Sequence, residues 1–380
     1  MKKLLFILIL ILFTSTIYAQ NDVNSGLLQK LVEKQVLTQE EADELLKESA
    51  AKPDNNKIEE AAAKVRSIFN NTPYLQIGGY GLFLHTYDNT KAVKHNTRTR
   101  VVYLHARGQL TDKLSYFFMS EFVNPMVYEY YIDWTPIKEA NIRLGQFKVP
   151  YTIENPYSAT ALETVFNTRS VSALAGMGDD VMQYQNGINN SGRDLGVQVS
   201  GNALNDLIDY KIGLFQGAGM NTSDKDNSKN LAGTILFQPI KGLKVGGSAI
   251  WGEATYKLPH EAVEDTHVRN RWSIGGEYRS DRLYVRSEWL RGKDGKTDKE
   301  GLYGTAKYYI LPTKLNLVGK VDYFNQDKES NSEVLDYLIG ADYYFYTNCR
   351  IQLNYLYSDY SEKWDQKNSH QVMAQLQIVF

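Results

Sequence analysis

The chain has 380 residues, 43% of them hydrophobic, with 27 tyrosines and a formal net charge of −2. A single cysteine excludes a disulfide scaffold, and abundant aromatic residues with a near-zero net charge exclude a strongly disordered chain. Beyond residue 20 no apolar run approaches the roughly 20 residues that a spanning helix needs, which excludes a helical membrane bundle. The balanced charge gives no reason to expect a nucleic-acid partner.

The first nineteen residues have the pattern of an export signal. Lys2 and Lys3 precede the apolar run 4–13, and Ala19 stands before a polar stretch. A basic region, a short apolar region and a small residue in this order predict a signal peptide over residues 1–19. The alternative is the apolar start of a buried helix.

Residues 20–72 carry a helical pattern. Leucines and valines recur at three- and four-residue spacing between Leu27 and Val36, with Lys and Glu between them. Thr38 and Glu41 have the spacing of a capping box, which favours the start of a second helix. We therefore expect a small helical appendage or a coiled-coil stem without a catalytic role.

From residue 74 to the C-terminus the pattern alternates with a period of two. In the last segment Val372, Ala374, Leu376 and Ile378 share one face, and glutamines share the other. Counting such segments predicts sixteen strands, each about long enough to cross a membrane when tilted. The predicted ranges are 74–87, 98–109, 113–124, 127–135, 139–147, 193–200, 206–216, 229–237, 242–252, 268–279, 282–291, 301–310, 314–325, 333–345, 348–358 and 370–380.

The connections between these segments alternate in length. Links from odd to even strands are long and polar, such as 253–267 and 292–300, whereas links from even to odd strands are tight, such as 111–112 and 280–281. A soluble β-sandwich has no reason to sort its loops in this way, but a transmembrane barrel has short periplasmic turns and long outer loops. The sequence predicts an all-β fold: a sixteen-stranded antiparallel transmembrane β-barrel over residues 73–380, preceded by the short α-helical segment.

The two faces of the predicted strands differ in polarity. One face is almost purely apolar or aromatic, and the other carries charges that would be very costly to bury in a dry core. Trp134, Trp251, Trp272 and Trp289 fall near strand ends, where membrane interfaces place amphipathic rings. Sixteen strands are enough to enclose an aqueous channel, so we expect the charged face to surround a water-filled lumen.

The connection 148–192 is much longer than the others. Long loops are usually functional or disordered, and the apolar content of this one argues against disorder. Residues 164–174 have a sequence compatible with a short helical turn. We expect the loop to fold into the lumen and narrow it; the alternative is an outward loop that packs on a neighbouring subunit or seals the barrel top. The residues expected near the constriction are Lys148, Glu154, Glu163 and Arg169.

Two motifs flank this loop. Residues 141–151 read NIRLGQFKVPY, and the loop closes with SGRDLGVQ at 191–198. Together they resemble the phosphate-selective porin O and P family, in which a GQFK-x-P strand end leads into a long loop that closes with a GRD-x-G strand. The segment 31–48 is similar to the periplasmic stem of many members, and the terminal Phe380 resembles their outer-membrane assembly signal. The resemblance covers essentially the whole mature chain. It implies an outer-membrane porin that contacts outer-membrane lipid, with a homotrimeric assembly, a periplasmic helical segment and an inward third extracellular loop.

The charges at the predicted inward positions do not identify the solute that the channel conducts. The inward positions carry eleven basic and ten acidic residues, so no single-sign field is visible. Arg269, Arg271, Arg279 and Arg286 cluster on neighbouring strands, where rings of arginine favour anions, but pairing with nearby glutamates explains them at least as well. A preference for phosphate is implied only by the resemblance. The residues expected to line the pore and set its selectivity are Arg107, Glu129, Asp133, Arg143, Lys148, Arg169, Arg269, Arg271, Glu277, Arg279, Arg286, Glu288, Lys307, Lys320 and Arg350.

Enzymatic alternatives find little support. The six histidines lack metal-binding spacing, and no G-x-S-x-G elbow, phosphate-cradling glycine loop or H-E-x-x-H motif occurs. We expect no catalytic residue, no metal, no cofactor and no nucleic-acid partner. The expected function is a channel for small hydrophilic solutes, including anions such as phosphate. The alternatives are a structural or adhesin barrel without open-channel activity and, less favoured, an outer-membrane hydrolase.

Overall fold

The computed structural model describes residues 73–178, 189–257 and 261–380, together with the isolated helical positions Val32, Gln39 and Glu40. The predicted signal peptide 1–19 and the remainder of the predicted helical segment 20–72 lie outside the described residues. Within the described residues, no helix is long and apolar enough to cross a membrane.

Sixteen strands form one closed antiparallel barrel, which confirms the predicted fold. Neighbours along the chain pair from β1 to β9 and from β12 to β18, β9 pairs with β12, and β18 returns to β1. The barrel strands are β1 (Gln76–Asp88), β2 (His95–Thr111), β3 (Leu114–Glu121), β4 (Met126–Ile137), β5 (Ala140–Lys148), β6 (Arg193–Ala203), β7 (Ile208–Phe215), β8 (Asn230–Ile240), β9 (Leu243–Trp251), β12 (Arg271–Arg279), β13 (Leu283–Asp294), β14 (Thr297–Leu311), β15 (Leu315–Asp327), β16 (Ser332–Tyr346), β17 (Cys349–Tyr360) and β18 (Ser369–Val379).

Two further strands lie in a connection that the sequence pattern predicts to be one polar loop. Strands β10 (Glu253–Tyr256) and β11 (Asp265–Val268) form a separate two-stranded sheet between β9 and β12. The predicted strand 268–279 therefore enters the barrel only at Arg271. A hairpin this short carries too few alternating residues to stand out from a loop.

The C-terminal residue completes the closure of the barrel. Strands β1 and β18 pair in register from Tyr80–Val379 to Asp88–Gln371. Beyond that ladder, Phe380 exchanges two backbone hydrogen bonds of 3.0 Å with Gly79. These contacts satisfy the backbone of the last residue, so the barrel leaves no free strand edge at this seam.

The short turns fall where they are predicted. Connections from even to odd strands before β9, and from β12, β14 and β16 onward, contain two to four residues. The predicted long link 292–300 is wrong, because β13 and β14 remain paired as far as Asp294–Thr297. Its charged residues resemble a loop in sequence, but Lys299 and Asp294 form an ion pair of 2.6 Å within the extended hairpin.

The alternation of the strands separates an outer and an inner face. In β17, Ile351 and Leu353 are 47% and 52% exposed on the outside, whereas Arg350, Gln352 and Asn354 point inward and are fully buried. Inward residues of a wide barrel are buried only if something fills the lumen beside them. The connection between β5 and β6 fills it.

Candidate functional site in the barrel lumen

The long loop begins where β4 and β5 separate. Gly145 has φ = +141°, and a Cβ atom there would lie 2.1 Å from the Tyr130 carbonyl oxygen, so the position requires glycine. The last β4–β5 pair is Tyr130–Gln146, and beyond it the Gln146 amide donates to the carbonyl oxygens of Val127 (3.1 Å) and Tyr128 (3.0 Å). The Gln146 side chain thus satisfies backbone groups that the strand ladder no longer pairs.

The two ends of the loop are tied together. The Lys148 ammonium donates to the carbonyl oxygens of Asn155 and Tyr157, both at 2.6 Å. The Asn155 side chain donates to the carbonyl oxygens of Val149 (2.9 Å) and Gly192 (3.2 Å). Gly192 has φ = +70°, and a Cβ atom there would lie 2.0 Å from the Asn155 Oδ1 atom. Both flanking motifs therefore contribute residues that hold the loop at its base.

A buried ion triad attaches the loop to the barrel. The Arg286 guanidinium of β13 contacts the carboxylates of Glu154 at 2.9 Å and Glu163 at 2.7 Å. All three side chains are at most 5% exposed. Removing Arg286 would leave both glutamates buried without their shared counter-charge, and breaking a buried ion pair typically costs about 3–5 kcal/mol.

Glu154 remains ionised in this setting. Burial acts to raise the pKa of its carboxyl group, but the positive charges of Arg286 and Lys320 and the hydrogen bonds from Thr168 lower it further than burial raises it. The pKa of Glu154 therefore lies below its ordinary value. The carboxylate form required by the triad is the form that the surroundings favour.

Two other barrel residues bind the loop backbone. Glu288 accepts hydrogen bonds from the Ile153 amide (2.7 Å) and from the Tyr303 hydroxyl (2.6 Å). Arg350 donates to the Leu162 carbonyl oxygen at 2.8 Å. Barrel charges thus take the place of secondary structure in satisfying the polar groups of an irregular loop.

The loop also forms an apolar core inside the barrel. Its short helix α1 (Arg169–Leu174) lies within the segment 164–174. Val171 and Leu174 belong to a buried cluster with Leu290, Phe324 and other side chains of the barrel. Glycines at 292 and 301 leave room for the helix, because a Cβ atom at either position would lie within 2.5 Å of it. We call the barrel surface covered by the loop, on β12–β17, the packed wall.

A cavity of about 1660 Å³ extends along the opposite side of the lumen. Inward side chains of β1–β7 form most of one side, which we call the open wall, and the inner edge of the loop faces it. The loop residues at this edge include Tyr157, Ser158, Thr160, Phe166 and Arg169. The loop therefore fills one half of the lumen and leaves the other half open as a cavity.

The charges around the cavity are unequal. Its lining contains ten Lys or Arg residues and five Asp or Glu residues among the described positions. The basic residues are Lys91, Arg100, Arg107, Arg143, Lys148, Arg169, Arg193, Lys211, Lys320 and Lys367, and the acidic residues are Asp88, Glu121, Glu129, Asp322 and Asp336.

Three of these basic residues are paired with carboxylates. Arg143 makes two hydrogen bonds of 2.8 Å to Asp133. Arg193 contacts Glu129 at 2.6 Å, and Arg169 contacts Asp336 at 2.7 Å. Their charges are largely compensated by these partners.

Other basic residues bind neutral groups. Arg100 donates to the Val165 carbonyl oxygen (2.6 Å) and to the Gln375 amide oxygen (2.8 Å). Lys320 donates to the Thr164 hydroxyl at 3.0 Å, and Lys148 to the two loop carbonyl groups described above. In these hydrogen bonds the acceptor of each cation is a neutral oxygen rather than a carboxylate.

The fifteen residues expected to line the pore are distributed over both walls. Six of them border the cavity: Arg107, Glu129, Arg143, Lys148, Arg169 and Lys320. The other nine are not among its lining residues.

Most of those nine lie in charge pairs or beneath the loop. Asp133 pairs with Arg143, both Arg269 and Arg271 with Asp294, and Lys307 with Asp342. Arg286, Glu288 and Arg350 bind the loop, and Glu277 accepts a hydrogen bond of 2.6 Å from the Tyr157 hydroxyl. The Arg279 guanidinium lies 4.6 Å from the Tyr284 ring centroid. The arginine cluster on β12 and β13 is thus committed to these contacts.

The residues expected to line the pore leave out five cavity-lining cations: Lys91, Arg100, Arg193, Lys211 and Lys367. Strict alternation in β2 places Arg100 on the face opposite Val101. The β1–β2 register shifts there, since Leu82 pairs with Val101 and Phe83 with Thr99. The bulged Arg100 turns into the lumen. Arg193 lies at the end of the loop within the GRD motif. That motif is the sequence feature from which a position beside the cavity could have been predicted.

The chain was compared with known proteins. Residues 77–380 match the family model described as "Phosphate-selective porin O and P". A search of curated proteins finds no match. Among solved structures, the chain is similar to an anion-selective porin from Comamonas acidovorans, with a TM-score of 0.61, 11% identity, and coverage of 80% of this chain and 99% of that chain. It is also similar to the trimer form of OmpT from Vibrio cholerae (TM-score 0.59, 12% identity, coverage 80% and 99%) and to OmpF of Salmonella typhi in complex with daunomycin (TM-score 0.58, 13% identity, coverage 80% and 97%). At these identities the likeness shows the fold.

Proposed function

The chain belongs to the phosphate-selective porin O and P family and is an outer-membrane porin for small solutes, and from this premise we propose that it conducts anions in preference to cations. The observation that carries the proposal is the excess of basic residues around the cavity. Basic residues lining a narrow aqueous passage raise the local concentration of anions.

The placement of the cations that hydrogen-bond to neutral groups supports this preference. Arg100, Lys148 and Lys320 bind carbonyl, amide or hydroxyl oxygens, so their positive charges act on whatever enters the cavity. Lys148 and Lys320 hold the loop from two sides, and Arg100 reaches the loop at Val165. The three charges therefore act where the loop approaches the wall.

The loop 148–192 is the element that narrows this channel. Its attachment to Arg286, Glu288 and Arg350 supports an inward position. Solutes pass between its inner edge and the open wall. The alternative of an outward loop is disfavoured by these buried contacts.

Further proposals concern the assembly and the N-terminal region. The chain forms a homotrimer in outer-membrane lipid; the trimer form of the structurally similar OmpT supports this. Residues 1–19 direct export, and the helical segment 20–72 lies in the periplasm. The family match and the barrel fold favour a channel over an enzyme.

The decisive experiment is a reversal-potential measurement in planar bilayers. Under a KCl gradient, we expect a reversal potential whose sign shows preference for chloride. A reversal potential that favours potassium would overturn the proposal. Added phosphate then tests the narrower assignment: a phosphate-binding channel loses chloride current as phosphate is titrated in, and a general anion channel does not. A barrel that inserts but gives no conductance steps would support the structural or adhesin alternative.

A further inference from the structure

Three tyrosine rings form a continuous row on the open wall. Tyr80 of β1, Tyr103 of β2 and Tyr128 of β4 all border the cavity. The ring centroids of Tyr80 and Tyr103 are 5.0 Å apart, and those of Tyr103 and Tyr128 are 4.8 Å apart in an edge-to-face arrangement. We call this set the tyrosine row.

A second aromatic row follows one step nearer to the short turns. The rings of His105 and Phe117 are stacked with centroids 5.6 Å apart, and Phe117 stacks on Tyr131 at 5.2 Å. These three residues also border the cavity. A solute that follows the wall thus meets aromatic rings at two successive levels.

Several side chains that pack around the tyrosine row are apolar. Met119 is buried in the same cluster, and Val101, Phe117 and Met126 pack against it while bordering the cavity. A channel that conducts only simple ions does not require such a surface, because apolar surface in contact with water carries a free-energy cost. Aromatic rings suit this surface, because they stack on tyrosine and contact methionine sulfur favourably.

Positive charge lies directly beside the rings. The Arg193 guanidinium is 5.0 Å from the centroid of Tyr128, and Arg143 stacks 3.7 Å above Tyr131. Arg100 and Lys148 border the same cavity. The open wall thus combines ring faces with groups that attract carboxylates.

We propose that the open wall binds small aromatic carboxylates during their passage, with the ring against the tyrosine row and the carboxylate toward Arg100 and Lys148. The inference rests on the proposed anion preference and narrows it to a solute class. It adds a recognition element, the ring, that charge selectivity does not require.

The test compares two carboxylates of equal charge and similar size. Benzoate and cyclohexanecarboxylate are added separately to single channels that carry chloride, and the concentration that halves the chloride current is measured for each. We expect benzoate to act at a concentration about fivefold lower, a factor equivalent to about 1 kcal/mol for one aromatic contact. Equal half-blocking concentrations would overturn the ring-binding proposal while leaving the reversal potential, and with it the anion preference, unaffected.

Substitutions of single aromatic residues test whether the preference for benzoate arises at the open wall. Tyr80→Leu and Phe117→Leu remove partly exposed rings and keep apolar side chains; each is expected to reduce the benzoate advantage. The matched control is Tyr130→Leu, because Tyr130 lies on the outer face of the same barrel region and is 41% exposed. Chloride conductance identifies channels that are inserted and open. If both lumen variants conduct chloride and keep the full benzoate advantage, the assigned wall is wrong.

Discussion

The two walls of the lumen use the same residue types for different purposes. On the packed wall, Arg286, Glu288 and Arg350 are buried and hold the long loop in place. On the open wall, Arg100 and Lys148 also contact the loop, yet they border the cavity. The comparison shows that an inward charge can be either a structural anchor or a determinant of selectivity, according to which side the loop covers.

The physical basis of this division is desolvation. A charge beneath the loop has lost its water and needs a counter-charge or several hydrogen bonds. A charge beside the cavity keeps access to water and can interact with passing ions at modest cost. Substitutions on the two walls should therefore affect different properties, and the following predictions test that separation.

The largest effect is expected on the packed wall. Arg286→Met leaves Glu154 and Glu163 buried without their shared partner, which should destabilise the loop by about 3–5 kcal/mol. The expected result is a larger and more variable single-channel conductance and a lower melting temperature. Arg279→Met, which removes an exposed arginine from the neighbouring strand, is the control. Conductance and melting like those of the parent protein would show that the triad does not hold the loop.

A smaller effect is expected at the base of the loop. Gly192→Ala introduces a Cβ atom beside Asn155 at a residue with φ = +70°. The backbone strain costs about 1–2 kcal/mol, and overpacking adds about 1–3 kcal/mol. Gly176→Ala separates these two contributions, because Gly176 has φ = +77° but no atom within 4 Å of its ideal Cβ position. Thermal unfolding should show a larger loss of stability for Gly192→Ala than for Gly176→Ala. Equal losses would mean that the Asn155 side chain moves aside without a free-energy cost.

On the open wall the property to measure is selectivity, since Arg100 and Lys148 border the cavity as well as contacting the loop. A unit charge about 6 Å from a passing ion in water contributes about 0.7 kcal/mol, roughly a threefold change in local anion concentration. Arg100→Gln and Lys148→Gln should each lower the anion-to-cation permeability ratio by about that factor, as measured from reversal potentials. Lys244→Gln removes the same charge from a lysine that pairs with Asp209 at 3.3 Å and is not among the cavity-lining residues, and it should have less effect. An equal shift for all three variants would mean that net charge alone, and not the open wall, sets the selectivity.

The smallest expected effect is that of mild acid. The pKa of Glu154 in the folded protein lies below the ordinary value of 4.5, so its ionised form stabilises the fold fully above that value. This contribution is lost only as the pH falls from 4.5 through the lower pKa of the folded state. Melting temperatures should therefore fall below pH 4.5 by less in Glu154→Gln than in the parent. A Glu154-dependent change between pH 7 and pH 5 would contradict the lowered pKa.

Much of the barrel could be predicted from alternation, and the failures have local causes. The period of two in residues such as Val372, Ala374 and Leu376 identifies strands, because each strand must present one face to lipid. Arg100 escaped this reasoning because a single bulged residue inverts the pattern. The β10–β11 hairpin and the extension of β13 and β14 were interpreted as loops, because charged residues such as Asp294 and Lys299 look solvated until their pairing is known.

The candidate site was predictable in part. Lys148 and Arg169 were expected beside the loop, and both border the cavity. Alternation predicts an inward side chain for Arg271, Lys307 and Arg350, as it does for the residues that line the cavity. The sequences of their own strands therefore do not show that these three are paired and buried instead. Their partners, Asp294 and Asp342, are fixed only when neighbouring strands are placed in register.

The sequence by itself determined the sixteen-stranded barrel and the position of the long loop. It also determined that the inward positions carry almost equal numbers of positive and negative charges. These properties follow from local rules, since alternation and turn spacing act over a few residues. Only the tertiary structure decided which charges the loop covers, because that depends on contacts between residues more than a hundred positions apart, such as Glu154 and Arg286. Burial beneath the loop makes Arg286 and Arg350 structural anchors, whereas Arg100 borders the cavity, where its charge can act on solutes.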